Sequence, residues 1–112
     1  MNNNFNHTIL IKEIKLDFSL TYPDCIVVEL DAGMARAWHD PEVSFKYGFD
    51  GYPDLHVICP GGKVVWMEIK TGTGRMSESQ KRFRERMRAI GNEVHEVRSL
   101  ADAHKAMMGV HV

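Results

Sequence analysis

Residues 51–80 read Gly-Tyr-Pro-Asp-Leu-His-Val-Ile-Cys-Pro-Gly-Gly-Lys-Val-Val-Trp-Met-Glu-Ile-Lys-Thr-Gly-Thr-Gly-Arg-Met-Ser-Glu-Ser-Gln. Pro53-Asp54 opens an apolar run, and a second apolar run ends in Glu68-Ile69-Lys70. Side chains alternate along a strand, so Glu68 and Lys70 share one face and Ile69 takes the other. Two carboxylates and a lysine at one end of a hairpin make a site for a divalent cation. Mg²⁺ takes hard oxygen ligands and keeps several waters, so one or two carboxylates suffice. Asp54 and Glu68 are the candidates, with the backbone carbonyl of Ile69 as a third ligand. A metal held there would polarise a phosphoryl oxygen and lower the pKa of a bound water, with Lys70 beside that water. Glu-x-Lys alone is more often an exposed strand face than a site. What raises it is the longer order: Gly-x-Pro-Asp, a hairpin, Glu-x-Lys-Thr-Gly-x-Gly-Arg, then Ser-x-x-Gln opening a basic helix.

That order resembles the PD-(D/E)xK nuclease superfamily and, within it, the VRR-NUC family of compact phage and bacterial nucleases. The resemblance rests on Gly51, Pro53, Asp54, Leu55, Glu68 through Gly72, Gly74, Arg75, Ser77, Gln80 and Gly91, and it is strongest from Gly48 to Ser99. It implies an α/β, restriction-endonuclease-like αβββαβ core with a short C-terminal helix, in a single domain spanning residues 1–112. It also implies a site of Asp54, Glu68, Lys70 and Gln80 using Mg²⁺ or Mn²⁺, completed by a residue of the first helix. Glu13 is the candidate for that residue, with His7 the alternative if the hydrophobic positions are aligned differently. The implied activity is metal-dependent, structure-selective endonucleolytic cleavage of branched DNA by a homodimer of the Holliday-junction resolvase type, in DNA repair or recombination. A flap, nick or splayed-arm nuclease and a non-catalytic nucleic-acid-binding module remain as alternatives.

Composition agrees with a small intracellular, cytoplasmic domain. The chain has 112 residues, 44% of them hydrophobic, enough for one core. No apolar run is long enough to cross a membrane, and the polar start has no signal-peptide pattern. Cys25 and Cys59 lack the spacing of a zinc site or a disulfide framework. Thr71-Gly72-Thr73-Gly74-Arg75 lacks the ending of a nucleotide-binding phosphate loop, so no nucleotide cofactor is expected. The net charge is only −1, but its distribution is uneven. Residues 70–88 hold seven Lys or Arg against Glu78 and Glu85, whereas residues 1–69 hold five basic and ten acidic side chains. Such a basic patch is an electrostatic footprint for a phosphate backbone. Its candidate contacts are Arg75, Lys81, Arg82, Arg84 and Arg88.

Along the chain, residues 1–6 read as a loose polar start. Residues 8–20 fit either a helix, through Leu10, Ile14 and Phe18, or a strand, through Ile14, Leu16, Phe18 and Leu20. The resemblance selects the helix, with Thr8 as its N-cap. Cys25 to Leu30 reads as the first strand and 35–52 as a long loop with short extended pieces, in which Trp38, His39, Lys46 and Tyr47 are candidate DNA contacts. Leu55–Cys59 and Val64–Lys70 form a hairpin. A two- or four-residue loop would set Asp54 opposite Ile69, on the wrong face for Glu68. The loop must therefore hold an odd number of residues, a bulge must shift the register, or Pro53 must bend the strand start and turn Asp54 inward. His56 lies one strand step from Asp54, with a structural role favoured over a ligand's. Ser77 and Gln80 fit a capping box opening a helix over 77–90 that buries Phe83, Met87 and Ile90 and ends at Gly91. A strand over Glu93–Arg98 and a helix capped at Ser99 complete the chain.

Overall fold

Helix α1 runs from Asn3 to Thr21. The structure, a computed structural model, describes residues 3–30, 35–37, 40–45 and 51–109. Burial separates the two readings of residues 8–20: Ile14 and Phe18 are 0% exposed, whereas Leu16 and Leu20 are 68% and 77% exposed. A strand would bury all four alike; a helix turns two of them away. Leu10, Ile11, Ile14 and Phe18 form the buried stripe. The helix starts at Asn3, not at Thr8, so Thr8 is not its N-cap and residues 3–6 belong to the helix and not to a loose tail.

Strand β1 (Ile26–Glu29) follows. The segment expected to be loop contains strands β2 (Ala35–Ala37) and β3 (Asp40–Phe45), which pair antiparallel as a separate two-stranded sheet. Asp31, Trp38, His39, Lys46 and Tyr47 lie outside the described residues. Next come β4 (Leu55–Cys59), β5 (Lys63–Ile69), helix α2 (Glu78–Ala89), β6 (Val94–Val97) and helix α3 (Leu100–Met107). The main sheet has the order β1-β4-β5-β6, with β6 parallel to β5 and the other pairs antiparallel. This is the expected αβββαβ core with a terminal helix, with the β2–β3 hairpin added.

Pattern and packing agree along the sheet. Leu55, Val57, Cys59, Val65, Met67, Ile69 and Val97 join α1 and α3 in one core cluster. Trp66 and Val94 lie on the opposite face with Phe83 and Met87 of α2. Ile90, expected to be buried with them, is the C-cap of α2 and is exposed. Helix α3 is fixed by Ser99, whose Oγ accepts from Asp102 N at 3.1 Å, while Asp102 Oδ2 accepts from Arg98 N at 2.9 Å.

The hairpin register sets the site. Cys59 pairs with Lys63 and Leu55 with Met67, so only Pro60, Gly61 and Gly62 form the loop. Gly61 and Gly62 have φ of 81° and 76°, a region open to glycine at little cost. An odd loop moves the pairing by one residue, and the next step past Leu55–Met67 brings Asp54 opposite Glu68.

Candidate metal and phosphodiester site

Asp54, just before β4, and Glu68 and Lys70, at the end of β5, converge with His7, Ile69, Thr71, Gly74 and Gln80 around one open pocket of about 290 Å³. Ile69 contributes its backbone, because its side chain is wholly buried in the core. Its N–H donates to Asp54 Oδ2 at 2.9 Å. His7 Nε2 lies 3.4 Å from the same oxygen. Both contacts fall on Oδ2, which leaves Oδ1 as the oxygen available to a ligand.

Glu68 is 1% exposed, the one charged side chain among the buried residues described. Gln80 Nε2 donates to its Oε1 at 3.1 Å, and its Oε2 is buried without a partner. Burial, then the neighbouring Asp54 carboxyl, push the Glu68 carboxyl up to about 10; Lys70 opposes the rise and Glu96 adds to it. An unpartnered buried carboxylate oxygen beside a second carboxylate is a donor set that suits a cation. Two hard oxygens from Asp54 and Glu68 fit Mg²⁺ or Mn²⁺. Among the described residues no three His, Cys, Asp or Glu side chains cluster to hold an ion, so water and backbone would complete its shell.

Gln80 does two jobs at once. Its backbone N–H donates to Ser77 Oγ at 3.2 Å, and its side-chain Oε1 accepts from Ser77 N at 2.8 Å, closing the capping box of α2. The amide nitrogen remains free to reach Glu68. Gly51 holds that end of α2 in place. It has φ +82°, and a Cβ there would collide with the backbone of Ser79 and Gln80. No side chain fits between this turn and the helix start.

The first helix contributes His7, not Glu13. Glu13 is exposed and outside the pocket. Six residues beyond His7, it lies about 240° around the helix and about 9 Å along it. His56 also stays out: its ring packs on Trp66 at 5.0 Å between centroids, and burial holds its pKa below the usual value.

The basic residues divide. Arg88 donates to Glu93 through two nitrogens, at 2.9 and 3.2 Å, and to Glu85 at 3.0 Å, at the far end of α2. Its charge is matched by these two carboxylates. Arg84 is half-buried with its Nε enclosed and unpartnered. Lys81 makes an exposed 3.5 Å pair with Glu78, worth little in water. Arg75 and Arg82 are exposed. Arg75 borders a second hollow lined by Gly72, Thr73, Gly74 and Arg98. Sequence reading missed Arg98, whose guanidinium donates to the carbonyls of Gly72 and Gly74 and so shapes the glycine loop. The signal was present: Glu96-x-Arg98 at the end of β6 repeats Glu68-x-Lys70 at the end of β5, and Glu68 pairs with Glu96.

No family model and no curated protein matches the chain. A solved structure described as a "VRR_NUC domain" superposes with a TM-score of 0.64 over 95% of this chain and 97% of that one, at 24% identity. With the Asp54 and Glu68 carboxylates at the end of its central hairpin, the chain has the fold of a VRR_NUC domain.

Proposed function

We propose that this protein is a metal-dependent nuclease that hydrolyses phosphodiester bonds in branched DNA. The observation that carries the reading is the buried, unpartnered Oε2 of Glu68 beside Asp54, with Lys70 on the rim of the same pocket. Asp54 and Glu68 would hold Mg²⁺ or Mn²⁺, which when bound supplies charge to polarise the phosphate and acidify a water. Lys70, which lines the same pocket, would orient the attacking water and offset charge building on the phosphate. Gln80 and His7 hold the two carboxylates in orientation. Arg75, Lys81 and Arg82 would bind the DNA backbone, which positions a substrate without reading its sequence, so cleavage follows DNA structure.

A homodimer fits the surface of α1. Phe5, Ile9, Leu16 and Leu20 are 56%, 41%, 68% and 77% exposed and lie on one stripe of the helix. An apolar stripe of this kind suits a self-complementary contact. A two-fold pair of sites would match the symmetry of a four-way junction. Among the described residues no helix is long and apolar enough to cross a membrane.

The test is cleavage of a labelled four-way junction, a flap and a matched duplex with Mg²⁺ or Mn²⁺, using wild type and Lys70→Ala. Paired symmetric cuts on the junction, lost in the variant, support a dimeric resolvase. Cutting of the flap alone keeps the nuclease and rejects the resolvase. Absence of metal-dependent cutting on every substrate rejects the catalytic reading.

A further inference from the structure

We propose that Cys25 and Cys59 form a dithiol pair that closes to an intramolecular disulfide, stapling the start of β1 to the end of β4. The inference rests on strand register and is independent of the nuclease reading.

The two cysteines are 34 positions apart in sequence, and both are free thiols in this structure. The antiparallel pairing of β1 with β4 joins Ile26 to Ile58. One step outward along that register places Cys25 opposite Cys59. The bonding pattern then fixes the kind of pair. Leu30 N donates to Asp54 O at 2.9 Å, which makes 30 and 54 a hydrogen-bonded pair of the same register. Bonded and non-bonded pairs alternate along an antiparallel ladder, so five steps away 25 and 59 are a non-hydrogen-bonded pair. Cys25 N agrees, donating to Tyr22 O at 3.0 Å instead. At such pairs the Cα atoms lie about 4.5 Å apart and the side chains stand closest, inside the range of about 4.4–6.8 Å spanned by disulfides.

The side chains meet as the register requires. Cys59 is 4% exposed in the core cluster, and Cys25 is half-buried and packs against the same cluster. Cys25 Sγ donates to Asp24 Oδ1 at 3.6 Å and Cys59 Sγ to Val57 O at 3.8 Å. Burial first, then Cys59 and Asp24, push the Cys25 thiol up to about 12, so Cys25 is a thiol at neutral pH and closure waits for an oxidant.

A small-molecule disulfide is a sufficient oxidant. The Cys25 sulfur, the more accessible of the two, attacks it as thiolate and displaces one small thiol, leaving a mixed disulfide. The Cys59 sulfur then attacks Cys25 Sγ and displaces the second small thiol. The protein loses two hydrogens and one small disulfide becomes two thiols, which balances the exchange. The product closes a loop of about 35 residues, a constraint felt mainly by the unfolded chain. In a reducing compartment such a bond is transient and responds to the redox poise.

Wild-type protein is incubated with oxidised glutathione, denatured, alkylated and weighed, with peptide mapping without reductant. The expected result is a monomer lighter by two hydrogens, protected from alkylation, with a Cys25–Cys59 cross-linked peptide. Its Tm rises on the order of 10 °C and falls back with dithiothreitol. Cys25→Ser, at the half-buried member, shows no oxidant-dependent Tm change. Alkylation of both cysteines, a glutathione adduct that persists on Cys25, or a disulfide found only between chains would each overturn the pairing. A closed bond with an unchanged Tm would overturn the staple.

Discussion

Asp54 stands across the hairpin from Glu68 because three residues, Pro60, Gly61 and Gly62, separate Cys59 from its partner Lys63. A loop one residue longer or shorter would turn one carboxylate to the α1 face and dissolve the site. The pair is then trimmed from outside: Ile69 N and His7 on Asp54 Oδ2, Gln80 on Glu68 Oε1. Each carboxylate thus keeps one oxygen uncommitted.

Gln80 is shared between the helix cap and the site, and two substitutions separate the roles. Gln80→Ala removes both, costing about 1 kcal/mol of stability and about 10–100-fold in metal affinity. Gln80→Glu keeps an acceptor for Ser77 N but sets a carboxylate against Glu68 Oε1. Its thermal stability at neutral pH should stay nearer wild type while cleavage falls. Equal activity of Gln80→Glu and wild type would remove Gln80 from the site. Denaturation and metal titration measure the two effects.

His7 and Glu13 are tested by the same cleavage assay. His7→Ala should lower activity by about 10-fold or more, as loss of a group that orients a ligand does. Glu13→Ala should leave it unchanged, because its side chain is exposed on another face of α1. The reverse result would return Glu13 to the site.

The Glu68 carboxyl has a pH signature in chelator-treated protein. Its folded-state pKa, about 10, lies above the ordinary carboxyl value of 4.5. The stability it contributes is therefore complete below about pH 4.5 and is lost as pH rises toward about 10. Urea unfolding in chelator at pH 5 and pH 9 should show wild type losing stability relative to Glu68→Gln across that window. A difference between the two proteins that does not change with pH would show that Glu68 is ionised in the folded state.

The basic residues should differ in their salt dependence. Arg82→Ala should weaken DNA binding about equally across sequences and lower the slope of log K against log salt by about 1. Arg88→Ala should leave the slope unchanged and instead cost stability, since Arg88 ties α2 to Glu93 ahead of β6. Fluorescence anisotropy from low to moderate salt measures both. An equal loss of slope in the two variants would show that Arg88 leaves its carboxylates to reach phosphate.

Short-range chemistry was legible in the sequence alone. The alternation in 55–59 and 63–69, the capping box at Ser77 and Gln80, the glycine turn and the order Asp54, Glu68, Lys70 all depend on neighbours within a few residues. Strand periodicity and helix capping are properties of a local segment, so a reader of one segment can find them. Even the odd loop was among the irregularities that the chemistry demanded, beside a bulge or a bend at Pro53. What tertiary structure decided was every relation between elements. Residues 8–20 fitted two periods until the sheet chose which side to bury. Glu13 was the candidate and His7 the alternative until α1 was rotated against the hairpin. Arg88 looked like a phosphate ligand until Glu85 and Glu93 were beside it, and Cys25 met Cys59 only through strand pairing. These facts depend on which surfaces pack together, and no local pattern in the chain records that choice.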